Sequence, residues 1–494
     1  MQLPFGEWLP DQPDHLNPGA TVATNVYHAQ SSYKPVKGLV AYSGASNVTQ
    51  NAKGAGSFRD NTNTVFTFVG TKDNIYKLTS GTFASVKGSL TISGGDTDYF
   101  TFTQFGQYVV ASNGVNPPMY YLMGTSSNFA TLQSLVTSSG SGTVPAKFKV
   151  SGVIRDFLVT GNIENAKNRV AWSGINDLST WEAGVSSSDT QDLPGSGGQV
   201  VAITSGEVGY VFREDQIIRL DFVGGNVVFR FSVISPNRGA VYGQTVCQDN
   251  RQVFFYASDG FFQINGDQIL PIGAEKVNRF FDGDLNKAYT DRITAAVDPF
   301  NTLAIWLYPS KDNPNTTGVC DKLLIYNYVT QKWSVAKVKA SQIFKQFVVA
   351  NTVELMDIIS ENLDDINISL DTAFWTTGHL YLGAIDENFK AAIFSGKTLE
   401  AELETKEQEI FPGLRANVTG IRPIVDASAN VTIKTRDKLA DTVTTSASSS
   451  MNDTGINPVR QSGRYFRANV KIPAESIWTN AQGIDLTASQ GGSR

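Results

Sequence analysis

Histidine, cysteine and charge are all scarce in this sequence of 494 residues. Its three histidines, His15, His28 and His379, are too few and too dispersed for a convincing metal cluster, and only His15 has carboxylates nearby in sequence, Asp11 and Asp14. The two cysteines, Cys247 and Cys320, show no metal-ligand spacing and no disulfide framework, so buried free thiols are expected. Charged residues make up 17%, which excludes a disordered chain and helical faces laced with ion pairs. The formal charge of −6 disfavours a globally basic nucleic-acid binder. No run of about 18 apolar residues occurs. The opening MQLPFGEWLP has neither a positive stretch nor an apolar one, so no signal peptide is expected.

Catalytic motifs are equally sparse. Neither G-x-x-x-x-G-K-[ST] nor G-x-S-x-G occurs, and Gly195, Gly197 and Gly198 do not sit between a strand and a helix. Asp282, Asp284 and Asn286 open like a calcium loop, but Lys287 stands where glycine is needed and Ile293 where the bidentate glutamate should be. A hairpin loop is expected there instead. The S-x-D-x-G-x-x-W turn of sialidase-type propellers is missing, Ser258-Asp259-Gly260 having the wrong spacing. No enzyme activity and no cofactor are expected.

What the chain has is β-hairpins. Gly 44 against Pro 18, with abundant Thr, Ser, Val, Phe and Tyr, favours strands joined by tight turns. The stretch Ser258 to Gly273 is a complete unit: Phe261 to Ile264 as one strand, Asn265-Gly266 suited to a type I′ turn, and Gln268 to Ile272 running back. One such hairpin is marginal alone. Related units start at Ile75, Met119, Val170, Ile217, Leu323 and His379. A spacing of roughly 40 to 60 residues is that of small antiparallel sheets arranged radially, a β-propeller of about six or seven blades. In one of the units Trp172 and Trp181 are expected as core aromatics closing a hairpin.

The organisation read along the chain has three parts. Residues 1–40 form an N-terminal arm rich in proline, whose Phe5 and Trp8 must be buried by something else, their own domain or another subunit. Residues 41–395 carry the propeller, interrupted near 354–366, where Leu355, Ile358, Ile359, Leu363 and Ile366 mark a short amphipathic helix. Residues 396–494 turn to β-branched alternation and read as a separate antiparallel, sandwich-like β domain. From Glu354 to Glu409 there are 13 acids and three bases, a net of −10. Glu354, Asp357, Glu361, Asp364 and Asp365 belong to it. Such a segment is either a solvated acidic face or a surface that something anionic passes without sticking. In the last long strand Arg464 and Arg467 flank Tyr465 and Phe466, with Arg460 just before, as either a solvated face or a docking edge.

Several stretches in order carry a resemblance: EWLPDQPDHLNPG from Glu7 followed by NVYHAQSSYKPVKGL, QFGQYVVASNG from Gln104, NRVAWSGINDLSTW from Asn168 and SDGFFQINGDQILPIGAEKVNRFF from Ser258. EAELETKEQEIFPGLRANVTGIRPIVD and SGRYFRANVKIPAESIWTNAQGID follow in the C-terminal part. Together they span most of the chain, which resembles the tail nozzle or tubular tail proteins of short-tailed bacteriophages, also described as packaged-DNA stabilisation proteins. The resemblance implies a virion tail protein assembled in the host cytoplasm into a six-fold ring below the portal and head-tail adaptor. It also implies a channel that double-stranded DNA crosses without sequence-specific binding, and contacts with a tail fibre or spike and with a plug or needle.

On that reading the acidic segment faces the channel, Phe5 and Trp8 anchor a neighbouring subunit or the adaptor, and Arg460, Arg464 and Arg467 dock the fibre. A basic lumen would hold phosphates fast, whereas an acidic or neutral one lets DNA slide. Two other classes stay open: a carbohydrate-binding or glycoside-hydrolysing propeller, and a scaffold propeller for host proteins.

Overall fold

The computed structural model describes the chain except residues 16, 42–46, 80, 226, 251, 314–317, 348–379 and 493–494. The protein is all-β in character, with 51% strand and 5% helix. Five separate four-stranded antiparallel sheets follow one another among the described residues. Each has consecutive strands hydrogen-bonded in order, starting with Gly54–Arg59, Thr101–Phe105, Phe148–Ile154, Val200–Ile203 and Cys247–Asp249. A sixth stretch runs Thr294–Asp298, Leu303–Tyr308, Cys320–Asn327 and the first half of the long strand Lys332–Phe347. From Ala340 that same strand pairs instead with Leu380–Asp386, then Ala391–Ile393, and last Val40–Ala41 from the far end of the sequence.

The first strands of successive sheets lie side by side, with the short 3₁₀ turn Gly243–Thr245 bridging to Cys247–Asp249. The circle closes where Lys332–Phe347 meets Gly54–Arg59. Apolar packing follows the same circle, with one cluster between each pair of neighbours. Phe68 and Ile75 meet Val109 and Tyr121, and Phe105 and Val110 meet Phe148 and Leu158. At the seam Val69 and Tyr76 meet Phe344 and Ile385. A sheet covered on both faces needs strands apolar on both faces, and Phe157–Ile163 is buried at every position. This is a propeller-like arrangement.

Ser141–Gly142 and Thr180–Trp181 pair in parallel as a small sheet of their own, and the remaining strands form two packed sheets. Ala481–Gln490 pairs with Ala416–Val425 on one side and with Gln2–Pro4 and Ser32–Pro35 on the other. Facing it, Tyr465–Ile472 lies between Ala401–Glu404 and Asn430–Arg436. Leu3, Val418 and Ile484 share one core with Leu403, Ile433 and Val470, and that core continues into Phe261, Trp306 and Trp333 of the circle of sheets.

The N-terminal segment is therefore not a projecting arm. Gln2–Pro4, Val22–Thr24 and Val40–Ala41 each complete a different piece of sheet. Phe5 and Trp8, 1% and 3% exposed, lie inside their own chain, Trp8 edge-on to Phe280 with ring centroids 5.0 Å apart. Of the two burials the sequence allowed, the chain uses its own core. The sandwich-like domain is correspondingly built from both ends of the sequence.

Two local expectations are corrected. Asn265 pairs with Gln268, which makes Gly266 and Asp267 the turn residues. Gly266 has φ +63° and Asp267 is not among the positive-φ residues, the type II′ pattern with glycine first and not type I′. Asp282 lies in the helix Asn278–Asp284, not in a hairpin loop. Phe281 anchors that helix between Phe261 and Tyr308, while the Asp11 carboxylate accepts from the Arg279 and Phe280 amides at 2.9 and 2.7 Å. A cap 268 residues away in sequence is invisible to local pattern.

Candidate functional site: the axial channel

The inner strands surround an axis, and a floor crosses it. In the fifth sheet the inner strand is only three residues, and the turn Gly243–Thr245 before it reaches over the axis to Tyr99 and Val201. A Cβ on Gly243 would sit 2.1 Å from the Val201 carbonyl oxygen and 2.3 Å from the Tyr99 hydroxyl, so only glycine permits the approach. The Tyr99 hydroxyl donates to the Val201 carbonyl at 3.3 Å. Trp306 Nε1 donates to the Thr245 carbonyl at 2.9 Å and Thr290 Oγ1 to the Tyr242 hydroxyl at 2.6 Å, which fixes the turn from outside. Burial pushes the Tyr99 phenol up, keeping it neutral and able to donate.

The floor separates two cavities of different chemistry. One, of about 570 Å³, lies where the inner strands begin and is lined by Asp98, Lys149, Lys167, Glu214 and Asp291. Burial lowers the pKa of Lys149, against the opposing pull of the Asp98 and Asp291 carboxylates, and its ammonium lies 4.4 Å from the centre of the Tyr99 ring. Burial also lowers the pKa of nearby Lys53, again opposed by Asp291. The other cavity, of about 510 Å³, lies towards the strand ends and is lined by residues such as Phe58, Phe102, Gln104, Ser151 and Gln248, with no ionisable Asp, Glu, Lys, Arg or His among them. Both volumes are those of small-molecule pockets.

No family model and no curated protein matches the sequence. Solved structures are similar only in outline. The extracellular domain assigned to a hybrid two component system of B. thetaiotaomicron gives a TM-score of 0.42 at 10% identity, over 78% of this chain and 44% of that one. The Pan2 WD40 domain of Neurospora crassa gives 0.37 at 8% identity, over 74% of this chain and 96% of that one. The chain spans less than half the length of the B. thetaiotaomicron protein, and likeness at these scores carries no argument.

Among the described residues, those singled out in the sequence do not converge on the channel. Arg467 is buried in the sandwich: its Nη1 lies 3.0 Å from Asp14 Oδ2 and 3.6 Å from Glu404 Oε1, and its Nε lies 3.8 Å from Glu407 Oε1. Lys434 meets Glu404 at 2.5 Å and Arg436 meets Glu407. The expected docking role of Arg467 is thus corrected, because its charge is consumed inside the fold. Arg464 is half-buried and Arg460 exposed. Glu354, Asp357, Glu361, Asp364 and Asp365, with the helix expected near 354–366, lie outside the described residues. Further along the acidic stretch, Glu404 and Glu407 are buried ion-pair partners, so its net of −10 overstates the surface charge.

Cys247 and Cys320 are buried free thiols, and burial pushes Cys247 up to about 12. Trp172 and Trp181 are buried as core aromatics, but they do not close one hairpin: Trp172 pairs with Asp189 and Trp181 with Gly142. Among the described residues no three His, Cys, Asp or Glu side chains cluster as a metal site, and no helix is long and apolar enough to cross a membrane. Sequence reasoning missed Tyr99, Gly243 and Gln244. The one signal was the irregular run NRGAVYGQ from Asn237 between two sheets.

Proposed function

We propose that the chain is a subunit of the tail nozzle of a short-tailed bacteriophage, a structural protein of the virion tail and not an enzyme. The ground is the ordered resemblance across most of the sequence. The observation that shapes the mechanism is the blocked axis: cavities of about 510 and 570 Å³ on either side of a tyrosine and glycine floor leave no bore for a duplex. DNA then passes between subunits of a ring. We take the propeller, expected to have about six or seven blades, to have seven, the circle of inner strands and the pairing of Val40–Ala41 with Ala391–Ile393 supporting that number. Residues 1–39 and 396–494 together make the second domain.

Six copies carry a formal charge of −36 (6 × −6). A non-basic lumen of that kind releases few counterions on contact with phosphates and favours sliding. The acidic segment of Glu354, Asp357, Glu361, Asp364 and Asp365 remains our choice for the lumen wall, with Arg460 and Arg464 as the fibre-docking candidates. The adaptor above, a fibre or spike at the side and a plug or needle below are the expected partners. Mass measurement and negative-stain imaging of the purified chain, alone and mixed with adaptor-bearing heads, test the reading. A six-fold ring on the head is expected, and a monomer that ignores the head overturns it.

A further inference from the structure

We infer that the uncharged cavity of the axial channel is a binding site for a neutral saccharide, held without being cleaved. The inference rests on the cavity alone and stands apart from the nozzle reading.

Lining chemistry selects the ligand class. No residue lining the cavity carries a formal charge, and the Lys345 ammonium behind it is engaged by the Gln248 carbonyl, so a charged ligand would lose its hydration without finding a free counter-charge. A purely apolar ligand fails for the opposite reason. Among the described residues the Thr101 hydroxyl and the Gln244 amide make no hydrogen bond within the protein, and covering them with hydrocarbon would strand them. Gln104 spends its amide N–H groups on the Arg59 and Gly106 carbonyls, at 2.7 and 3.0 Å, which leaves its Oε1 to accept.

Thr101 and Gln104 stand on the second sheet and Gln244 on the floor turn before the fifth, so polar groups reach the cavity from two directions. The aromatic side is supplied by Phe58 and Phe102, both half-buried, with Phe102 held in a stack with Phe100, at 5.7 Å and 20°, and Phe68, at 6.3 Å and 17°. A sugar ring offers what this combination needs, a C–H face for the aromatic wall and uncharged hydroxyls for the amides. A cavity of about 510 Å³ suits a few sugar rings at most.

The same lining decides against hydrolysis. Cleaving a glycosidic bond takes two carboxyl groups across the sugar in most such enzymes, and this cavity presents none. The carboxylates Asp98 and Asp291 line the other cavity, beyond the floor.

Calorimetric titration of the full chain with maltotriose, cellotriose and tri-N-acetylchitotriose, against 3′-sialyllactose and a heparin-derived hexasaccharide, tests the inference. At least one neutral trisaccharide is expected to bind with millimolar affinity or better and to remain intact. Gln244→Ala should weaken it about tenfold or more, and Thr101→Val about threefold. Arg169→Ala, on the exposed outer surface, should leave affinity unchanged, and thermal unfolding of each variant controls for folding. No binding by any of the three neutral sugars overturns the site, as does equal binding of the charged ones or full binding by a stably folded Gln244→Ala chain. Ring formation on heads, scored with the same variants, separates this outcome from the nozzle reading.

Discussion

The circle of sheets and the sandwich bury the same kind of strand by different means. In the circle every sheet but the one completed by Val40–Ala41 comes from one continuous stretch of chain, and mostly apolar side chains fill the gaps between neighbours. In the sandwich the strands come from residues 2–35 and 401–490, and Glu404, Glu407 and Arg467 are buried in it, with Arg436 half-buried beside them. Local sheets can each form from a short piece of chain, whereas the sandwich is complete only when both ends of the sequence have met. The two regions should therefore fail differently.

The largest effect is expected from the N-terminus. Deleting residues 1–8 removes the strand Gln2–Pro4 and the buried Phe5 and Trp8, and cooperative unfolding of the sandwich should disappear from the thermal profile while the circle of sheets keeps its own transition. Trp8→Ala alone should cost about 3–5 kcal/mol. A single transition that merely shifts would erase the distinction between the regions.

Arg467→Ala comes next, at about 3–5 kcal/mol, because it leaves Glu404 and Glu407 buried with one cation fewer. Its counterpart in the circle is Arg169, paired with Asp192 at 2.5 Å on the exposed surface. Arg169→Ala should change the denaturation midpoint hardly at all, and comparable losses from the two variants would contradict the contrast.

Gly243→Ala should cost about 2 kcal/mol, since the added methyl meets the Val201 backbone. It sharpens the comparison from the other side, as a backbone contact in the circle that apolar packing does not absorb.

The smallest effect lies where the sandwich meets the circle. His28, on the strand Val26–Ala29, faces Lys332 of the circle with Nε2 3.1 Å from its ammonium. Burial first, and then that ammonium, lower its pKa from 6.5 to about 4. The unfolded chain binds the proton more readily, so the stability His28 contributes is present above pH 6.5 and is lost as pH falls towards 4. His28→Gln should flatten that limb of a stability-against-pH curve, and an unchanged slope would remove His28 from the account.

The same division explains what could be read from sequence. Six of the hairpins picked out by pattern begin at Ile75, Met119, Val170, Ile217, Phe261 and Leu323, and each starts on the third strand of its sheet; all continue into the fourth except the one at Val170, whose second arm Thr180–Trp181 pairs with Ser141–Gly142 instead. The seventh, at His379, continues into a second and third strand, because its fourth is Val40–Ala41. Period-2 alternation and turn residues act over a dozen residues and are visible there. Apart from the hairpin of Val26–Ala29 with Ser32–Pro35, the strands of the first 41 residues are two or three long and pair with partners up to 483 positions away, where no local pattern reaches. Arg467 was misjudged for a related reason. A strand sequence gives the side a residue faces, and only the partners from Asp14 and Glu404 show that the side is inside. The channel floor was unreadable because Tyr99 and Gly243 come together across an axis that exists only once the circle has closed.

The central claim is that this chain builds a ring whose lumen lies between subunits while each propeller axis stays closed. An electron cryomicroscopy map of the chain assembled on adaptor-bearing, DNA-filled heads tests it most directly. The account predicts six copies, DNA density on the ring axis and the Tyr99–Gly243 floor intact in every subunit. DNA density running through a propeller, or heads that recruit no ring, would contradict it.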